Sequence, residues 1–109
     1  MIQVTVFREG GQIKAFELSG HAGSGPYGYD LVCAGVSAVS IGCVNAVMTL
    51  CEVDLVIEQG GDGGYLHVTI PDYISKQKME QVQLLFEGML VSLTSIEQEY
   101  NEFIHIQTN

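Results

Sequence analysis

Positive charge is the scarcest feature of this sequence. Of its 109 residues only four are Lys or Arg, against thirteen Asp or Glu, so the formal net charge is −9. Proteins that bind nucleic acids neutralise phosphates with clustered Lys and Arg side chains. Four basic residues cannot supply such a patch, so we expect no direct contact with nucleic acid. An acidic surface instead favours encounter with a basic partner.

Charge of either sign is also low. Charged residues make up 16% of the chain and hydrophobic residues 47%, whereas soluble domains average roughly 25% charged residues. So much apolar surface excludes a disordered chain, because its burial offsets the entropy lost on ordering. The length predicts a single domain over residues 1–109. The excess of apolar side chains predicts that a second copy of the chain covers part of the surface.

Cysteine is sparse and odd in number. Cys33, Cys43 and Cys51 show no pairing pattern. The first residues alternate as a strand does, which predicts that no signal peptide is present. We therefore expect free thiols in a reducing, cytoplasmic setting.

Four segments alternate between apolar and polar residues as strands do. Residues 2–8 and 13–19 flank a glycine-containing turn, and residues 53–59 and 64–70 flank another, so each pair predicts a hairpin. Residues 102–107 predict one more short strand at the end of the chain.

Two segments predict helices. Residues 31–51 carry no charge and are long enough to cross a membrane, but no Lys or Arg flanks them and small residues dominate. They favour a helix buried on most of its circumference. Residues 75–100 repeat apolar side chains at helical spacing after a capping Ser75. The order ββαββα(β) predicts an α+β, two-layer domain whose mostly antiparallel sheet packs with two helices.

The junction between residues 20–30 and the first helix is the strongest candidate for a reactive site. Those residues include four glycines and a proline, which predicts a loop. Asp30 is a suitable N-cap, and Cys33 falls in the first helical turn, where amides and the helix dipole stabilise a thiolate or a developing oxyanion. His21 could serve as the base. Spacing alone leaves open a buried cysteine and a solvent-facing histidine.

The motif at this junction resembles that of a known family. Gly20-His21-Ala22 is followed, after a Gly/Tyr-rich loop, by the run Gly28-Tyr29-Asp30-Leu31-Val32-Cys33-Ala34-Gly35-Val36-Ser37. The motif and the order of elements along nearly the whole chain resemble the ribosomal-processing cysteine protease family, Prp. The resemblance implies a bacterial cysteine endopeptidase that removes the N-terminal extension of large-ribosomal-subunit protein twenty-seven after an apolar, phenylalanine-containing segment, as needed for ribosome maturation.

The resemblance also implies roles for individual residues. Cys33 would be the nucleophile and His21 its base, with Asp30 and Ser37 in supporting positions; for both, a purely structural role, as N-cap and as packing residue, stays open. The remaining motif residues are candidates for substrate contact: Gly20, Ala22, Tyr27, Gly28, Tyr29 and Ala34. The resemblance further implies a homodimer that needs no cofactor.

Two other functions remain as alternatives. One is a non-catalytic, ribosome-associated module that binds a peptide in the same groove, and the other is a redox-sensing thiol protein. A metal site is not expected, because His67 and His105 lie at no metal-ligand spacing from a cysteine. Both histidines are predicted to face solvent, while Cys43 and Cys51 are predicted to be structural.

Overall fold

The computed structural model describes residues 1–23, 25, 30–61 and 63–109. Its elements follow one another in the predicted order: β1 (Ile2–Glu9), β2 (Gln12–Ser19), α1 (Leu31–Leu50), β3 (Val56–Gln59), β4 (Tyr65–Thr69), α2 (Lys76–Glu99) and β5 (Ile104–Thr108). The strands form one sheet in the order β3-β4-β2-β1-β5. All neighbours are antiparallel except β1 and β5, which are parallel. The predicted α+β class with a mostly antiparallel sheet is confirmed.

The two faces of the sheet differ because successive side chains of a strand point in opposite directions. Both helices pack on one face, and their side chains join the sheet in one core. The largest fully buried sheet residues of this core are Val4, Val6, Ile13, Phe16, Val68 and Ile104. The opposite face carries Phe7, Glu17, Tyr65 and His67, and no helix of the described residues covers it.

Helix α1 begins at Asp30, whose side chain accepts the backbone N–H of Cys33 as an N-cap. Its buried residues recur at helical spacing and form one face: Val32, Val36, Ser40, Val44 and Val47. The prediction of a helix buried on most of its circumference is wrong for the single chain. Leu31 and Leu50 are 67% and 73% exposed, and Ile41 is 45% exposed. The helix is long and apolar enough to cross a membrane by length and composition, but one face belongs to the core.

Helix α2 is capped by Ser75, as predicted, and packs across α1 and β2. The ring of Phe86 meets that of Phe16 edge-on, with centroids 5.5 Å apart. The Gln83 side chain both donates to the carbonyl oxygen of Ile13 and accepts its N–H, at 2.7 Å and 2.8 Å. These contacts fix the helix over the first hairpin.

Two predicted strand boundaries were wrong. The third strand was expected at residues 53–59 but begins only at Val56. Val53 and Leu55 are buried, at 2% and 9% exposure, and belong to the connection that leaves α1. Glu52 reverses the chain there with a φ of 55°. The last strand, expected at residues 102–107, is Ile104–Thr108 instead.

An ion pair joins β1 to α2 and makes stability depend on pH. Arg8 donates two hydrogen bonds of 2.8 Å to the Glu87 carboxylate. The bond from Arg8 holds the pKa of Glu87 below its ordinary value. Because the folded-state pKa is the lower one, the stabilisation is present above the unfolded-state pKa and is lost as the pH falls through the folded-state pKa.

We therefore predict that Glu87→Gln is less stable than the wild type at neutral pH, by up to about 1 kcal/mol. The deficit should stay constant from about pH 7 to about pH 5 and shrink below that, because acid then protonates Glu87 in the wild type as well. Urea unfolding at several pH values measures it. A deficit that is the same below about pH 5 as above it would contradict this account of the pair.

Candidate active site

His21 lies just past the end of β2, in a position fixed by the glycine before it. Gly20 has a φ of +86°, and a Cβ added there would lie 2.5 Å from the carbonyl oxygen of Met1. Its N–H donates to the carbonyl oxygen of Gly64 at 2.9 Å. A side chain at Gly20 would therefore both strain the backbone and collide with the N-terminal residue. This explains why glycine precedes the histidine.

Cys33 is the third residue of α1, and its thiol faces the imidazole of His21. The Sγ atom lies 3.9 Å from Nδ1 of His21, which is a long hydrogen-bonding distance for sulfur. Cys33 is partly exposed. The structure thus brings together the two residues that the sequence predicts as nucleophile and base.

Asp30 connects the helix to the segment that carries His21. One carboxylate oxygen accepts the N–H of Cys33 at 2.9 Å, and the other accepts the N–H of Gly23 at 2.8 Å. Gly23 follows His21 by two residues, so this carboxylate restrains the distance between His21 and Cys33. The N-cap was predictable from the sequence. The contact with Gly23 was not, because nothing in a linear pattern shows where the loop returns.

The Asp30 contacts also correct one expectation about the first helical turn. The N–H of Cys33 is donated to the Asp30 carboxylate, and the N–H of Ala34 is donated to the Asp30 carbonyl oxygen at 2.9 Å. The sequence suggested that these amides hold a developing oxyanion, but neither is available for that. An oxyanion on a substrate would need other donors.

Two cavities meet at Cys33. The larger has a volume of about 460 Å³, and its described lining is His21, Gly23, Gly25, Asp30, Cys33, Ala34, Ser37 and Gly63. The smaller, about 160 Å³, lies between α1 and the β3–β4 hairpin and includes Ile2, Leu18, Val36, Ile41 and Leu66. Cys33, Ser37 and Gly63 line both. A chain crossing Cys33 would therefore pass His21 and Asp30 on one side and aliphatic side chains such as Leu18 and Leu66 on the other.

The other candidate residues separate into three groups. Ser37 and Ala34 line the larger cavity, and Gly20 lines the smaller one. Ala22 is only 5% exposed and belongs to the hydrophobic core, so it anchors the segment after His21 and does not face a substrate. Tyr27, Gly28 and Tyr29, also predicted to contact substrate, lie outside the described residues.

The β3–β4 turn is a part of the site that the sequence reading missed. Gly63 lines both cavities opposite α1, yet this turn was interpreted only as a hairpin connection. Its glycines were visible in the sequence, and their lack of side chains leaves room beside Cys33. They pointed to no chemistry, because glycine carries no functional group.

The remaining cysteines and histidines lie away from this site. The thiol of Cys43 donates to the carbonyl oxygen of Leu85, and its burial raises its pKa to about 11. Cys51 is buried. His67 bonds Glu17 on the helix-free face, and His105 is exposed. In the described part of the chain, no three His, Cys, Asp or Glu side chains form a group suited to a metal ion.

A nucleophilic thiol beside an imidazole, at the start of a helix and open to two cavities, is the arrangement of a cysteine peptidase. Comparison with known proteins agrees. The sequence profile of the family described as cysteine protease Prp matches residues 1–105. The chain belongs to this family, and it is a cysteine protease.

Individual relatives cover the chain almost completely. It is 43% identical to the ribosomal processing cysteine protease Prp of Bacillus subtilis (strain 168), over 100% of this chain and 98% of the relative. The protein of the same name from Staphylococcus aureus (strain Mu50 / ATCC 700699) is 40% identical over 96% and 94% of the two chains.

Solved structures show the same fold. The S. aureus protease Prp with a covalently linked product peptide superposes with a TM-score of 0.91 at 38% identity, and both chains are covered completely. The structure of that protease with a substrate peptide gives 0.85 at 37% identity, again over 100% of each chain.

The three thiols should differ in reactivity. We predict that iodoacetamide at about pH 7 modifies Cys33 well before the others, since the thiolate is the reactive form. Cys43 holds its proton because burial raises its pKa to about 11, and Cys51 is buried. Mass spectrometry of peptides after timed alkylation measures the order. Modification of Cys43 as fast as Cys33 would contradict the assignment of Cys33 as the reactive thiol.

Proposed function

We propose that this protease removes the N-terminal extension of large-ribosomal-subunit protein twenty-seven and so contributes to ribosome maturation. The observation that carries the proposal is the His21–Cys33 pair, whose thiol lies where the two cavities meet. The net charge of −9 suits a basic ribosomal protein as substrate. The S. aureus relative has been solved both with a substrate peptide and with a covalently linked product peptide.

The chemistry follows from the two side chains. His21 accepts the thiol proton of Cys33, and Sγ attacks the carbonyl carbon of the scissile peptide bond. The carbon–nitrogen bond then breaks as His21 returns the proton to the leaving amine, which leaves a thioester on Cys33. Water, deprotonated by His21, attacks the thioester, releases the new carboxyl terminus and restores the thiol.

Asp30 and Ser37 have supporting roles in this proposal. Asp30 restrains His21 relative to Cys33 through the amides of Gly23 and Cys33. Ser37 lies one helical turn after Cys33 and shares its face, where it lines both cavities. It is placed to contact the substrate on either side of the cleaved bond.

The decisive variant is Cys33→Ser. A serine hydroxyl keeps its proton near neutral pH and is a far poorer nucleophile, so cleavage should fall on the order of a thousandfold or more. Binding of a peptide that carries the extension and the junction should persist. Cleavage is measured by mass spectrometry of the products, and binding by fluorescence anisotropy of the labelled peptide.

Cys43→Ser is the matched control and should keep full cleavage, because the Cys43 thiol only donates to the carbonyl oxygen of Leu85. Cleavage by Cys33→Ser within about tenfold of the wild type would exclude Cys33 as the nucleophile. Wild-type binding without any cleavage would favour a non-catalytic peptide-binding module on the ribosome.

We also propose that the protein is a homodimer in the cytoplasm, and the exposed side of α1 supports the dimer. Leu31, which is 67% exposed, and the exposed Ala38 lie on this side, and the helix has no charged residue. Burying such a face removes apolar surface from water without separating charges from their solvent. A second copy meets this need by symmetry, since the same surface then covers itself. Because the opposite face of α1 packs in the core, the helix does not need a membrane to bury its apolar side chains.

We predict that sedimentation equilibrium at micromolar concentration gives twice the chain mass of 11.8 kDa. Ala38→Lys places a charge on the exposed side of α1, outside the lining of both cavities, and should shift the equilibrium towards the monomer. Leu84→Lys is its control on the exposed side of α2, where Leu84 is 75% exposed. A monomeric wild type, or dissociation by the control variant alone, would contradict a dimer built on α1.

A further inference from the structure

The two edge strands of the sheet, β5 and β3, differ in how their outward backbone groups are covered. An edge strand presents unpaired N–H and C=O groups, and proteins protect such edges with charges, bulges or covering groups. At the β5 edge, the Glu97 carboxylate accepts the N–H of Ile106 at 2.7 Å. At the other edge, all four residues of β3 are exposed. Among the described residues, one edge is therefore covered at Ile106, whereas no element pairs with the other.

The hydrogen-bond pattern identifies which groups of β3 face outward. The N–H of Gly60 donates to the carbonyl oxygen of Tyr65 at 3.0 Å, and this antiparallel pair continues the register Gln59↔Leu66. Hydrogen-bonded and non-hydrogen-bonded pairs alternate along an antiparallel ladder. Glu58 consequently bonds to β4, whereas the N–H and C=O groups of Ile57 and Gln59 point away from the sheet.

This open edge leads into the active site. Gln59 and Gly60, at the end of β3, line the smaller cavity together with Cys33 and Ser37. Ile57 and Gln59 pair with Val68 and Leu66, so their side chains lie on the face that carries the helices. A chain that leaves Cys33 through the smaller cavity therefore reaches the outward-facing amides of β3 with no intervening element among the described residues.

We propose that the substrate binds as a sixth strand beside β3, through main-chain hydrogen bonds to Ile57 and Gln59. The inference rests on the proposed function and names how that site holds its substrate. The segment concerned is the apolar one before the cleaved bond. Alternate side chains of an added strand point towards the helix layer, where Ile57 and Ile41 are 38% and 45% exposed.

This binding mode divides recognition between two kinds of contact. Main-chain hydrogen bonds to β3 require an extended segment but read no side chain. The smaller cavity selects apolar side chains next to the cleaved bond, because its lining includes Ile2, Leu18, Val36, Ile41 and Leu66. A folded segment could not pair with β3, so cleavage would be confined to extended chain ends such as an N-terminal extension.

Hydrogen exchange followed by NMR tests the proposal on the full-length Cys33→Ser protein. In the free protein, the amides of Ile57 and Gln59 should exchange rapidly, while that of Glu58 is already slow. Saturation with the unlabelled extension peptide should slow Ile57 and Gln59 by at least about tenfold, as for amides that gain a hydrogen bond. The amide of His105, on the far strand, is the control and should not change.

Two peptide series provide a second measurement. N-methylation at alternate residues before the cleaved bond removes the hydrogen bonds to β3 and should weaken binding at least about tenfold. N-methylation at the intervening residues, whose N–H groups face solvent, should weaken it far less. Equal effects of the two series would overturn the added strand.

The outcomes separate this proposal from the one on which it depends. If the peptide binds and the wild type cleaves it, yet the exchange of Ile57 and Gln59 is unchanged, the added strand is wrong and the protease assignment stands. If both amides are slow without peptide and slow further with protein concentration, a second copy occupies the edge and the proposal is overturned. If the peptide neither binds nor is cleaved, the proposed function fails and the added strand with it.

Discussion

The Asp30 carboxylate is the interaction on which the active site depends. Its two oxygens accept one N–H from the first turn of α1 and one from the segment after His21, at 2.9 Å and 2.8 Å. A carboxylate at a helix N-terminus is stabilised by the free amides and the helix dipole there. The same charge that starts the helix therefore also holds the base near the nucleophile. Loss of this carboxylate would release both ends at once.

The crowding at Gly20 imposes the second constraint. The carbonyl oxygen of Met1 occupies the space that a Cβ would need, and Gly64 accepts the Gly20 N–H from the other side. His21 is thus positioned by the end of β2, by the N-terminal residue and by the start of β4. Three segments that are distant in sequence meet at one glycine. The position of His21 therefore depends more on the sheet than on the loop that follows it.

The two cavities that meet at Cys33 offer different side chains to a bound chain. Cys33 separates a cavity lined by His21 and Asp30 from one lined by aliphatic side chains. In the described part of the chain, the edge of β3 is exposed beside the smaller cavity, whereas the Glu97 carboxylate accepts an outward N–H at the β5 edge. This contrast between the two edges is the basis of the proposed added strand.

Much of this protein could be predicted from local patterns. Alternating strands, glycine turns, the Ser75 and Asp30 caps and the periodicity of α2 depend on neighbours within a few residues, and the structure contains all of them. The motif around His21 and Cys33 identified the family before any distance was known, and the comparisons confirm it. The strand predicted at residues 53–59 was too long. Val53 and Leu55 alternate with polar residues as in a strand, but they are buried in the connection that follows α1.

The sequence by itself predicted the His21–Cys33 pair and determined which segments form helices and strands, because those depend on residue type and short-range spacing. Only the tertiary structure decided what surrounds them. Ala22, a motif residue, became part of the core, and Gly63, in a turn that signalled no chemistry, became a wall of both cavities. Asp30 gained its second partner in Gly23, and one side of an uncharged helix remained exposed. Each of these results depends on how distant segments pack. The contacts that stabilise this packing join residues far apart in the sequence, so no local pattern shows them.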